Sequence, residues 1–122
     1  MNLDHLALVV RNQQRSRDFY EAFFGFGNGP ASRYEDGTVI VRNDEGFALA
    51  LHPSDDVPPW DDFSHFGFSV ADAGEVREMQ RRIEASGFRI VEETTEPGYV
   101  SFKFLDPDGY KVEVSWEVFS AQ

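Results

Sequence analysis

The chain has 122 residues, is 41% hydrophobic, lacks cysteine and carries a formal net charge of −11. That size supports one modest core, so a single domain spanning 1–122 is expected, and the absence of cysteine excludes disulfides, thiolate metal sites and cysteine nucleophiles. The acidity argues against nucleic-acid phosphates as partners; with no long apolar run and no leader pattern, neither a membrane span nor a signal peptide is expected, and the cytoplasm is the expected location.

The first element, His5–Val10, alternates like a strand. Gln13–Phe24 then sets Phe19, Tyr20, Phe23 and Phe24 at helical spacing, with Gly25 as the stop. Short apolar runs follow at 39–41 and 47–51, bounded by turn signals at Asp36-Gly37 and in "NDEG", 43–46. The stretch "PSDDVPPWDDF", Pro53 to Phe63, is rich in Pro and Asp; it reads as a connection that carries Trp60 and is a candidate lid. The order then repeats. His65–Val70 alternates, and Asp72 with Glu75 forms a D-x-x-E helix start. Val76, Met79 and Ile83 make an apolar stripe that Gly87 ends. Apolar runs at 100–104 and 112–116 flank turns at Pro97-Gly98 and in "DPDG", 106–109. Each half reads β-α-β-β-β, with module 1 at about 1–56 and module 2 at about 62–118.

The halves align with little drift. His65 follows His5 by 60 positions, Phe88 follows Phe26 by 62 and Gly109 follows Gly46 by 63, which is the spacing of a duplicated unit. Alternation assigns faces in six of the strands. Toward the helices point Leu6, Leu8 and Val10; Val39 and Val41; Phe47, Leu49 and Leu51. Their counterparts in the second half are Phe66, Phe68 and Val70; Val100, Phe102 and Phe104; Val112, Val114 and Trp116. The other face collects all three histidines, His5, His52 and His65, with Arg42, Tyr99, Lys103, Lys111 and Glu113 among small residues. A merely solvated face would carry more long charged side chains, so this composition fits a sheet lined for a ligand.

"DHLALVVRNQQRSRDFYEAFFGF", then "HFGFSV" and "SFKFLDPDGYKVEVSW", resemble the vicinal oxygen chelate superfamily of glyoxalases, fosfomycin and bleomycin resistance proteins and extradiol dioxygenases. The resemblance covers nearly the whole chain. It implies an α+β fold in which two tandem β-α-β-β-β modules form a curled mixed sheet with helices on the outer face. It also implies a divalent metal held by His5, His65 and Glu113, together with a homodimer in which modules pair within or between chains. A fourth ligand of glyoxalase I falls on Ala50, which has no donor. The remaining two imidazoles and one carboxylate suit Fe, Mn, Zn or Ni and leave coordination positions open.

The function expected from the resemblance is metal-dependent chemistry on a small oxygen-rich substrate bound through neighbouring oxygens, as in lyases or isomerases, transferases or dioxygenases of the superfamily. Glu113 and His52 are the catalytic candidates, the first as a ligand, the second as an acid or base at the rim; a solvated strand-end side chain is the ordinary reading of His52. Arg42, Trp60, Tyr99 and Lys103 are the candidates for binding substrate. The alternative is a metal-free binding protein of the bleomycin-resistance type, which would sequester a small molecule and catalyse nothing.

Overall fold

The computed structural model describes residues 1–118; residues 119–122, the end of the expected domain, lie outside the described residues. The chain divides into two compact units, Met1–Pro58 and Pro59–Gln122. The first contains β1 (His5–Val10), α1 (Gln13–Phe24), β2 (Ser32–Arg33), β3 (Val39–Arg42) and β4 (Ala48–Pro53). The second contains β5 (Phe66–Ser69), α2 (Ala73–Ala85), β6 (Ile90–Glu96), β7 (Tyr99–Leu105) and β8 (Lys111–Glu117). The expected curled mixed sheet is two mixed sheets of four strands each, ordered β1-β4-β3-β2 and β5-β8-β7-β6. In each, the first strand of the unit pairs parallel with the last, and the remaining pairs are antiparallel.

Local chemistry sets both helices. The Asn12 side chain accepts from the Arg15 amide at 3.0 Å and caps α1, while Gly25 closes it at φ 72°, a left-handed turn that a Cβ would penalise. At α2 the Asp72 carboxylate accepts from the Glu75 amide at 2.8 Å. Glu75 reaches back to the amide of Ala71 at 3.0 Å, one residue before the usual capping-box partner. Phe19 and Tyr20 of α1 are buried, whereas Phe23 and Phe24 are half-buried; in α2, Val76 and Ile83 are fully buried and Met79 is half-buried.

The face assignment holds in the strands. Leu8 and Val10, Val39 and Val41, Leu49 and Leu51 are buried in the first unit, as are Val100, Phe102 and Phe104, Val112 and Val114 in the second. Burying each such side chain contributes about 1.5–3 kcal/mol, so these stripes dominate the stability of each unit. Alternation did not reveal β2, which has two residues, nor β6, whose sequence IVEETTE is mostly polar. Both lie at the outer edge of their sheets, where a solvated strand carries no apolar face.

The two halves repeat atom by atom at one turn. Asn43 Oδ1 accepts from the amides of Glu45 at 3.1 Å and Phe47 at 2.9 Å. Asp106 Oδ1 accepts from the amides of Asp108 and Tyr110, both at 2.9 Å. The glycines that follow, Gly46 at φ 84° and Gly109 at φ 91°, complete the same turn 63 positions apart. An amide in one unit and a carboxylate in the other thus do one job.

Candidate metal centre

Sheet register places the key acid. In the second unit Gly67 pairs with Glu113, and in the first Ala7 pairs with Ala50. Ala50 is therefore the structural counterpart of Glu113. Gly67 leaves room there: a Cβ at that position would stand 3.1 Å from the Glu113 carbonyl oxygen and 3.3 Å from its Cβ. The carboxylate is fairly well covered, with 15% of its side chain exposed against 27% for His65.

His65 stands just before β5 rather than within it. Its Nδ1 lies 3.0 Å from the Phe63 carbonyl oxygen. A carbonyl only accepts, so Nδ1 carries a proton and Nε2 is the ring nitrogen turned toward Glu113. That Nε2 lies 3.5 Å from Glu113 Oε1. Two donors placed about 2.0–2.2 Å from one ion at a tetrahedral angle stand roughly 3.4 Å apart, so the pair fits adjacent ligands of a first-row divalent metal.

The other carboxylate oxygen is engaged. The Tyr99 hydroxyl donates to Glu113 Oε2 at 2.6 Å. This bond holds the phenol above its ordinary value of 10.0, because a phenolate would lose the bond and face the carboxylate charge. Lys103, opposite Glu113 on β7, donates through Nζ to Glu92 of β6. The bond raises the ammonium above its usual range and lowers the Glu92 carboxyl below its own.

His5 opens β1 in the first unit, with Nδ1 2.7 Å from Asp4 Oδ1. The carboxylate accepts a hydrogen bond from Nδ1–H and leaves Nε2 for a ligand, the arrangement common around metal-bound histidines. The ring borders a concavity of ≈ 320 Å³ lined by Asp4, His5, Ile40, Arg42, Gly46, Ala48 and Ala50. Arg42 donates to Ser32 Oγ at 3.2 Å. His52 lies elsewhere in this unit, with Nδ1 2.8 Å from Thr38 Oγ1 and 3.9 Å from Asp36 Oδ2. Trp60 packs on Tyr110 and Phe66, with ring centroids 4.7 and 6.0 Å away.

The structure thus joins His65, Glu113 and Tyr99 in one cluster within the second unit and puts His5 and Arg42 around a hollow in the first. Among the described residues no three His, Asp or Glu side chains gather as a metal-binding group. Sequence reasoning missed three supporting partners: Asp4 behind His5, the Phe63 carbonyl behind His65, and Glu92 beside Lys103. The first is adjacent in sequence and was open to notice. Glu92 was hidden with the unassigned β6.

Residues 2–114 match the family model of the Glyoxalase/Bleomycin resistance protein/Dioxygenase superfamily. The chain belongs to this superfamily. Among its relatives is the glutathione transferase FosA of Serratia marcescens, 31% identical over 93% of this chain and 79% of that protein. An uncharacterised protein of Pseudomonas aeruginosa is 32% identical over 93% of this chain and 87% of its own length. Among solved structures, the fosfomycin resistance protein FosX of Listeria monocytogenes shares the superfamily fold with a TM-score of 0.80 at 21% identity, covering 98% of this chain and 95% of that one. A further Listeria FosX structure, complexed with Mn(II) and sulfate, aligns at a TM-score of 0.79 and 20% identity over 97% of this chain and 91% of its own. In the described residues no helix is long and apolar enough to cross a membrane.

Proposed function

We propose that the chain is a divalent-metal-dependent enzyme that acts on a small, oxygen-rich, anionic substrate, with a transferase-type reaction favoured by the relationship to the Serratia glutathione transferase. One observation carries the proposal: His65 Nε2 and Glu113 Oε1 face each other at 3.5 Å, and both are oriented by partners on their far sides. Sequestering a ligand without metal would not require that orientation, so the metal-free reading is not adopted.

His5 is the third protein ligand in this proposal. It belongs to the first unit, whereas His65 and Glu113 belong to the second, and among the described residues no three His, Asp or Glu side chains gather as a metal-binding group. We assign the complete site to a homodimer, in which His5 of one subunit serves with His65 and Glu113 of the other. A bound divalent ion would supply a Lewis acid with open positions for neighbouring substrate oxygens. The chain's own groups do the rest. Asp4 and the Phe63 carbonyl accept from Nδ1 of the two imidazoles and so orient each ring with Nε2 toward the ligand position. The Arg42 guanidinium, beside the hollow lined by Ala48 and Ala50, binds and orients an anionic group of the substrate. Lys103 adds positive charge near Glu113, Trp60 offers an aromatic edge, and His52, held by Thr38, serves as a proton carrier at the rim.

The test is metal analysis and Mn(II) titration of the wild-type protein and His65→Ala, with fosfomycin turnover followed in the presence of glutathione. The wild type should bind one ion per subunit and the variant far less. Equal metal content in the two would remove the site.

A further inference from the structure

Carboxylates bind ions through one oxygen or through both, and the two modes differ in geometry and in the number of positions left for a substrate. At Glu113 the choice is constrained by a neighbour on β7. Tyr99 pairs in register with Glu117, not with Glu113, which pairs with Lys103. Between these two rungs lies the Ser101–Ser115 pair. Alternation puts Tyr99, Ser101 and Lys103 on the same face as Glu113, Ser115 and Glu117. The phenol therefore reaches Glu113 along the sheet, past two small side chains that leave it room. It arrives at 2.6 Å from Oε2, within the range of a charge-assisted O–H···O⁻ bond. The other oxygen, Oε1, is the one that faces His65.

We propose that Tyr99 is a positioning residue that occupies Oε2 of Glu113 and so limits this ligand to a single coordinating oxygen. The assignment rests on the metal-binding reading above and deepens it, because it concerns how the site keeps positions free for substrate. Tyr99 thereby acts through the carboxylate and not as a contact for the substrate. Without the hydroxyl, Oε2 would lose this donor and the carboxylate could turn to present both oxygens.

The experiment compares wild type, Tyr99→Phe and His65→Ala by Mn(II) titration, and records the infrared carboxylate stretches of protein carrying 13C-labelled glutamate with and without Mn(II). The separation of the two stretches is wide for one-oxygen binding and narrow for two. Tyr99→Phe should weaken Mn(II) binding by about 10–100-fold, the usual effect of losing a partner behind a ligand, and should narrow the separation. A Tyr99→Phe protein that binds Mn(II) as the wild type does, with the same separation, overturns the role of Tyr99 and leaves the metal site intact. A wild-type protein that takes up no Mn(II) overturns the site and the positioning role together.

Discussion

Ala50 and Glu113 hold the same place in two copies of one sheet, yet only one can bind a cation. A methyl group there opens space beside Arg42 and Ala48, and a carboxylate would close it. Ala50→Glu is therefore expected to tighten Mn(II) binding, lowering the dissociation constant by about tenfold or more, while turnover falls because a protein oxygen takes the place of substrate. Titration and kinetics on one preparation check both halves; a gain in activity would contradict the assignment. A second residue-scale expectation concerns Lys103 and Glu92, whose side chains are 20% and 52% exposed. Glu92 sits below its ordinary value of 4.5, so the stability it supplies is complete above pH 4.5 and is lost as pH falls through the lowered value. Lys103 sits above 10.5, so its share is complete below that pH and is lost as pH rises through the raised value. Solvent screening keeps the pair to less than about 1 kcal/mol. Glu92→Gln should flatten the decline in urea midpoint below pH 4.5 and leave a small uniform loss near neutrality.

The two matched turns make element-level energetics testable. Asp106 is 5% exposed and accepts two backbone amides, so Asp106→Ala should cost about 1–3 kcal/mol by leaving those donors without that acceptor. Asp106→Asn should cost clearly less, because Asn43 already performs this task with an amide oxygen. Urea unfolding of the two variants decides it, and equal losses would mean that the charge matters more than the acceptor. The same turns explain what could be read from the chain alone. The cap at Asp72, the glycine stops and both turns depend on side chains within four residues, so they were legible, as was the equivalence of Ala50 with Glu113 once the turns were aligned; the Asn12 cap, equally local, was missed. Edge strands β2 and β6 bury no stripe and gave no periodic signal. The Tyr99–Glu113 bond runs diagonally between strands, past an intervening rung, and depends on how far a side chain leans; residue spacing carries no record of that.

At the scale of the molecule, the three proposed donors come from two units that share one topology, one imidazole from the first, and an imidazole with a carboxylate from the second. A homodimer with sites shared between subunits makes a prediction that sites within one chain do not. Mixing His5→Ala with His65→Ala should restore binding, because in a mixed dimer one site combines an intact His5 with an intact His65 while the other lacks both. Random exchange should recover about a quarter of the wild-type sites, read as bound Mn(II) after subunits are unfolded together and refolded. No recovery, with mixed dimers demonstrated by mass, would place each site within one chain. The margins of the sheets bear on how such copies meet. One ends in the two-residue β2 with its exposed Arg33, the other in β6 with exposed Glu92, Glu93 and Glu96. Neither of these two borders offers a long neutral ladder to a newcomer, so strand addition at β2 or β6 is disfavoured. Self-association is left to surfaces other than these rims, and acidification, which silences the glutamates, is the condition under which fibrillar growth along β6 would first become accessible.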